Sequence, residues 1–353
     1  MLHQIKSLAD QHGTPLLLFS ANEFKNSYQQ LQSFLPLVKH HYALKPLPLA
    51  ETIECISECD GYLDIASAGE LKLVAETNPS MLTHCIYTHP VKKEKDIRMM
   101  LEHGVSIMVA DNLSELKKFA LFPDQIKVLI RLAFPNEHAR CNLSEKFGAD
   151  EKSFKQMIEF AYHHSITIIG CSFHVGSQIM NPFEHVNAIK KCKILYDWCA
   201  TEYNFQFKVL DIGGGFPAQY SYEKCDLEQF CKPIKIVLET LFPTIEIWSE
   251  PGRCIASNSM ISVSQVVGKA IKNNRVWYYL DDGVYSTFSG KLFDQMSYQI
   301  RPLINTYRDA ELSVVAGPTC DSIDIIERDI MLPSMEVGDY VCVTRIGAYS
   351  VCS

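Results

Sequence analysis

Residues 127–176 read KVLIRLAFPNEHARCNLSEKFGADEKSFKQMIEFAYHHSITIIGCSFHVG. Two apolar, β-rich runs, KVLIRLAF (127–134) and IIGCSFHVG (168–176), bracket a segment of helical periodicity, DEKSFKQMIEFAYHH (150–164). A buried strand, a crossover helix and a second buried strand make one parallel βαβ unit. The alternation extends both ways, from about residue 39 to residue 250. Upstream lie HHYALK (40–45), GYLDIA (61–66), CIYTH (85–89) and VSIMVA (105–110), and downstream KVLDIGGG (208–215) and IEIWSEP (245–251). Segments such as AGELKLVAETN (68–78), KKEKDIRMMLEHG (92–104) and EHVNAIKKCKILYDWCATEY (184–203) supply helices between them. Eight such units in roughly 200–250 residues fit an α/β fold of the (β/α)8 type. A doubly wound open sheet is the rival, because periodicity alone does not close a sheet.

After Arg253 the pattern turns to β-rich segments without long helices: MISVSQVVGKAI (260–271), RVWYYLDDG (275–283), ELSVVAGP (311–318) and DYVCVTRIGAY (339–349). These predict a second, mainly β domain, to which LLLF (16–19) adds a strand. The expected division is a barrel over 21–257 and a β-rich domain from 1–20 and 258–353.

With 353 residues and 47% hydrophobic content, the chain can bury a large core. A net charge of -8 and the lack of a long Lys/Arg block argue against nucleic acid as a partner and for a small-molecule substrate. The cysteines number thirteen, an odd count in a long chain whose N-terminus MLHQIKSLADQHG lacks the apolar core of a signal peptide. Reduced thiols in a cytoplasmic protein are expected. Cys55 and Cys59 have no second cysteine pair or nearby histidine to complete a tetrahedral site, so no metal is expected. No apolar run reaches the roughly 20 residues that a membrane span requires.

In a βα barrel the loops after the strand C-termini build the site. Here those ends are polar: Lys45, Asp64 with Ser67, His89, Asp111, Arg131, His174, the triple glycine Gly213-Gly214-Gly215, and Glu250 followed by Arg253. Singly, each has an ordinary structural reading, as a satisfied strand-end residue, a salt-bridged lysine, a tight turn or a surface ion pair. Their convergence from successive strands is harder to dismiss. A lysine buried among apolar neighbours at a strand end would have a desolvated amine suited to Schiff-base chemistry. A triple glycine lets backbone N–H groups approach an anion closely. Glu-Pro-Gly-Arg sets a carboxylate, able to pair with a protonated heterocycle nitrogen, three residues from a guanidinium, able to pair with phosphate.

The chain resembles the fold-type III pyridoxal-phosphate decarboxylases, the group of ornithine, diaminopimelate and biosynthetic arginine decarboxylases, over nearly its whole length. The resemblance is carried by YALKP (42–46), LDIASAGE (63–70), CNLSEKFGA (141–149), SFHVGSQ (172–178), LDIGGGFP (210–217), SEPGR (249–253), DDGVYSTF (281–288), AGPTCDSIDII (316–326) and GDYVCVTRIGAY (338–349). It implies a barrel with a second β domain and pyridoxal 5'-phosphate as cofactor. Lys45 would carry the cofactor as a Schiff base, His174 would stack on its ring and Glu250 would hold its pyridine nitrogen protonated. Ser177, Gly214, Gly215, Arg253 and Tyr349 would grip the phosphate, with Asp64 and Arg131 in support. The resemblance also implies a homodimer with shared sites, in which Cys320 would protonate the α-carbon after CO2 leaves. Lys146 and Asp324 match an ion pair across that dimer.

Asp294 and Asp321 match acids that bind the distal amine of ornithine or lysine. A diaminopimelate enzyme would be expected to carry Glu in place of Asp321. L-Ornithine, giving putrescine for polyamine biosynthesis, is therefore the expected substrate, with lysine, diaminopimelate or carboxynorspermidine as alternatives. A non-catalytic regulatory relative that binds protein partners is the reading from another class; Lys45, Glu250 and Cys320 speak against it. The sequence departs from the family's pattern in three places. Pro46-Leu47 stands where a small residue and Asn often follow the lysine, and Asn142 stands where the ornithine enzymes often carry Arg. GAYS (347–350) is followed by only three residues, so another segment is expected to line the pocket, or the pocket is more open.

Overall fold

The computed structural model describes residues 2–122, 124–134, 146–220, 225–303 and 308–351. Asn142 lies outside the described residues. The chain opens with helix α1 (Leu2–His12), strand β1 (Leu16–Phe19) and helix α2 (Ala21–Phe34). It then alternates: β2 (Val38–Ala43), α3 (Ala50–Glu58), β3 (Tyr62–Ile65), α4 (Ala68–Thr77), β4 (Cys85–Tyr87), α5 (Glu94–Glu102), β5 (Ile107–Ala110), α6 (Leu113–Phe119), β6 (Lys127–Leu132), α7 (Glu151–His163), β7 (Thr167–Phe173), α8 (Phe183–Tyr203), β8 (Val209–Asp211), α9 (Leu227–Leu241) and β9 (Glu246–Ser249). After the short helix α10 (Arg253–Ala256) come β10 (Met260–Lys272), β11 (Arg275–Leu280), helix α11 (Gly290–Phe293), β12 (Ile300–Pro302), β13 (Ala310–Ala316), β14 (Ile325–Pro333) and β15 (Tyr340–Thr344). Among the described residues no helix is long and apolar enough to cross a membrane.

Strands β2 to β9 pair in parallel, in chain order, and close when β9 returns to β2 through Val38↔Ile247 and His40↔Ser249. The open-sheet alternative is thereby excluded. Side chains start the crossover helices: Ser67, Asn112, Asp150 and Asp226 each accept the backbone N–H three residues on, capping α4, α6, α7 and α9. Asn204, in the left-handed conformation at φ 56°, ends α8.

Two compact units result. One is built from Lys25–Ala218 and Cys225–Ile255, the other mainly from the chain up to Phe24 and from Ala256 on. In the second, six strands run in the order β12-β15-β10-β11-β13-β14, with β1 also pairing β10. All pairs are antiparallel except β11 with β13. Ile5, Ala9, Val263, Leu303 and Cys342 form a core of this unit, so α1 packs on its sheet.

Candidate functional site

Strand register builds the site in the barrel unit. Paired residues of neighbouring strands share a face, as do residues two apart along one strand. Asp64 pairs with Ala43 and Ile86, Ile86 falls opposite Ile107, two before Val109, and Val109 leads through Leu129 and Gly170 to Val209 and Glu246, two before Trp248. On this face Ile86, Val109, Leu129, Val209 and Trp248 form one apolar cluster. On the same face, at or just beyond the strand C-termini, stand Lys45, Asp64, Thr88, Asp111, Arg131, Ser172, Asp211 and Glu250. Every strand thus adds a polar side chain to this face, near its C-terminal end.

This layer is electrostatically coupled. Asp64 is buried, accepts the Thr88 hydroxyl at 2.5 Å, and is pushed above the usual carboxylate range by burial against the pull of Lys45 and Arg131. Glu250 is held well above that range by burial and by the neighbouring Asp211 and Asp64 carboxyls, against Lys45 and Arg131. Burial also pushes Asp211 up to about 7, and its Oδ1 accepts the Gly213 N–H at 2.8 Å. Glu70, whose carboxylate accepts the Ala66 N–H at 2.7 Å, is pushed to about 7 by burial and responds to the charges of Asp64 and Lys45. Burial, then the charges of Arg131 and Lys45, hold His174 well below the ordinary histidine value, so its ring is neutral. Its Nδ1 accepts the Gly176 N–H at 3.1 Å, which leaves the ring proton on Nε2.

Three loops interlock beside these groups. A Cβ on Gly214 would lie 2.6 Å from the Glu250 carbonyl oxygen and 3.0 Å from His174 Nε2, and one on Gly215 would lie 2.5 Å from the Gly176 carbonyl oxygen. Gly213 and Gly215 adopt φ of 66° and 95°, open to glycine at little cost. The Glu250 N–H donates to Gly213 at 2.8 Å and the Ile179 N–H to Gly215 at 2.9 Å. Gln178 clasps Ala218, its amide accepting from the backbone N–H at 3.0 Å and donating to the carbonyl at 2.5 Å. Arg253 Nε donates to Ser177 Oγ at 3.2 Å. Pro46, one of the sequence's departures, fits because Gly252 has no Cβ; one there would lie 2.7 Å from Pro46 Cγ.

The other expected residues lie on the β unit. Asp324 is buried and organises two loops: its Oδ1 accepts the Val284 N–H at 2.9 Å, and its Oδ2 accepts the N–H and hydroxyl of Thr319 at 3.0 and 2.7 Å. The loop so fixed exposes Cys320, a free thiol, and Asp321. Tyr285 donates to Asp321 Oδ2 at 2.5 Å and holds that carboxyl below its usual value, so it is ionised at neutral pH. Asp294 caps α11, its N–H donating to Gly290 at 3.0 Å, and Tyr349 at φ 65° accepts the Ser289 hydroxyl at 3.3 Å through its carbonyl.

The profile of the family described as "Pyridoxal-dependent decarboxylase, pyridoxal binding domain" matches residues 21–257, about two thirds of the chain. The chain belongs to the pyridoxal-dependent decarboxylases. A lysine/ornithine decarboxylase of Selenomonas ruminantium is 31% identical over 98% of this chain and 88% of its own length. Antizyme inhibitor 2 of Xenopus laevis is 30% identical over 90% of this chain and 73% of its own. The crystal structure of a lysine/ornithine decarboxylase from Vibrio vulnificus, complexed with cadaverine, superposes with a TM-score of 0.94 at 38% identity, covering 99% of this chain and 93% of that one. This decarboxylase is a fold-type III enzyme that uses pyridoxal phosphate to remove CO2 from an amino acid.

The residues present fit that cofactor. Asp64 Oδ2 and Ser172 Oγ are buried without a hydrogen-bond partner among the described residues, as a site that receives a polar ligand requires. The carboxyls of Glu250 and Asp211 crowd one another, and a protonated ring nitrogen would relieve their repulsion. Lys45 is half-buried, and its charge stabilises the ionised forms of Asp64, Glu70 and Glu250. Sequence reasoning passed over Thr88, Asp211, Tyr285 and His185. The first two were readable from strand parity alone; the last two act through tertiary neighbours.

Proposed function

We propose that this decarboxylase acts on a basic amino acid and converts L-ornithine to putrescine and CO2, as a step of polyamine biosynthesis. The observation that carries the reading is Asp321, an ionised, solvent-facing carboxylate next to the exposed thiol of Cys320. A counter-ion for a distal ammonium thus adjoins a proton donor. In this reading Lys45 binds the cofactor covalently, His174 packs its neutral ring on the cofactor, and Glu250 pairs with the pyridine nitrogen. Ser177, Gly214, Gly215, Arg253 and Tyr349 hold the phosphate, while Asp64 and Arg131 fix the charge around Lys45. When bound, the cofactor supplies the electron sink for the carbanion left by CO2 loss. Cys320 returns a proton to the α-carbon, and Asp321 and Asp294 orient the substrate through its distal ammonium.

Cys320 and Asp321 serve a partner chain's cofactor, so the working unit is a homodimer. Its setting is the cytoplasm, where the eleven described cysteines, all free, stay reduced. Lysine is the second substrate, favoured by the likeness to relatives named lysine/ornithine decarboxylase. One methylene separates the two, worth only about 1–3 kcal/mol in a pocket. The test is Asp321→Asn, assayed for CO2 release from ornithine and from norvaline, which lacks the distal amine. A hydrogen bond to a charged group contributes roughly 1.5–3 kcal/mol, so the preference for ornithine should narrow by about tenfold or more. The cofactor's absorbance should be unchanged. If the variant keeps the wild-type preference, Asp321 does not read the distal amine.

A further inference from the structure

His185 stands apart from the roles above. It lies in the first turn of α8, fully buried, with the rings of Phe216, Phe230 and Phe173 at 5.2, 5.7 and 6.4 Å between centroids. Such a pocket suits phenylalanine. Burial lowers the histidine to about 4, so the ring is neutral and carries one proton. That proton is spent on Nε2, which donates to the Gly214 carbonyl oxygen at 3.0 Å, while buried Nδ1 has no partner among the described residues. A polar ring kept in an apolar pocket at this cost has one polar contact, and it is to the centre of the triple glycine.

The carbonyl of Gly214 and the N–H of Gly215 belong to one trans peptide and point in opposite directions. Anchoring the carbonyl on α8 therefore aims the Gly215 N–H away from the interior. The anchor matters because this peptide lies between two glycines, Gly214 and Gly215, the latter at φ 95°, and glycine's wide dihedral range leaves it free to rotate. The N–H groups of Gly214 and Gly215 make no hydrogen bond within the described residues, so they are donors available to an anion. We propose that His185 is the positioning residue of the phosphate cradle, locking the Gly214–Gly215 peptide in the orientation that presents its N–H to the cofactor's phosphate. The inference rests on the reading that the triple glycine grips that phosphate.

The test compares pyridoxal phosphate with pyridoxal, which lacks the phosphate, as ligands of the purified apoprotein, with Kd read by protein fluorescence. Phosphorus NMR of the bound cofactor reports the cradle directly. His185→Phe keeps the packing and removes the donor. It should weaken pyridoxal phosphate by about tenfold, the usual effect of leaving one buried carbonyl unpaired. Pyridoxal binding should stay within about twofold, and the phosphorus resonance should shift. His185→Gln, which restores a donor, should recover most of the loss. Should His185→Phe not fold, His185→Met is judged by the same comparison. Equal weakening of both ligands, or of neither, overturns the inference. Arg253→Met separates the two levels of the argument. If it discriminates between the ligands while His185→Phe does not, only the role of His185 falls; if it does not, the phosphate reading falls and this inference with it.

Discussion

Gly214→Ala is the sharpest perturbation of the interlocked loops, because it adds one methyl group where three of them meet. The new Cβ would lie 2.6 Å from the Glu250 carbonyl oxygen, where ordinary van der Waals contact begins at 3.4 Å. The loops must part by 3.4 − 2.6 = 0.8 Å, with His174 Nε2, at 3.0 Å, giving by 0.4 Å. Misplacement of reacting groups by about 1 Å can lower rate by 10²-fold. Overpacking costs typically 1–3 kcal/mol of stability, too little to unfold a domain of this size. The expected outcome is a folded protein whose kcat/KM for CO2 release falls by about a hundredfold. Gly104→Ala is the control: nothing lies within 4 Å of its added Cβ, and only the backbone at φ 81° resists. It should cost about 1–3 kcal/mol of stability and leave turnover unchanged. Turnover of Gly214→Ala within about threefold of wild type would refute the idea that close contact of these loops sets the catalytic geometry.

Two further outcomes follow from burial and from the shared site. His41 is buried against Tyr62 and Trp248, and burial, then the charge of His40, lowers it to about 3. Its folded value is below the unfolded value of 6.5, so the unfolded chain takes up a proton that the folded one refuses, and stability is lost as pH falls below about 6.5. The buried carboxyls of Glu70 and Asp211, both near 7, act in the opposite sense, so the informative quantity is a difference between variants. His41→Phe should gain on wild type by about 1.4 kcal/mol per pH unit between pH 6.5 and 4, measured by urea unfolding; a constant gap would rule out His41 as the acid-sensitive group. For the shared site, mixing inactive Lys45→Ala with inactive Cys320→Ala chains should restore part of the activity, because one hybrid site then carries both residues. No recovery after verified subunit exchange would contradict a site shared between chains.

How much of this was legible depended on whether the signal was local. The eight barrel strands and the polar residues at their ends were readable, because burial on both faces makes each strand a short apolar run that ends at the site. β12 spans three residues, too few for a pattern, and β14 interrupts IIERDIMLP with charges on exposed positions, so neither stood out as a strand. Asp64 was expected near Lys45, but Glu70 was not foreseen there, since it arrives from the helix after β3 rather than from a strand. Tyr285 and His185 reach Asp321 and Gly214 across 36 and 29 residues of sequence. No periodicity encodes such contacts. Asp324 illustrates the same limit: that it holds two loops of its own unit together, through the N–H groups of Val284 and Thr319, was not readable from its motif.

The central claim, that this chain releases CO2 from a basic amino acid through chemistry organised at Lys45, is tested most directly by a substrate panel. Purified protein supplied with pyridoxal phosphate is given ornithine, lysine, arginine, norvaline and diaminopimelate, with CO2 detected and with Lys45→Ala run in parallel. The account predicts fastest release from ornithine, slower release from lysine, little from norvaline or diaminopimelate, and none with Lys45→Ala, whose circular dichroism should match wild type. Near-wild-type turnover by Lys45→Ala would contradict the assignment of the lysine, and a preference for diaminopimelate would contradict the basic substrate.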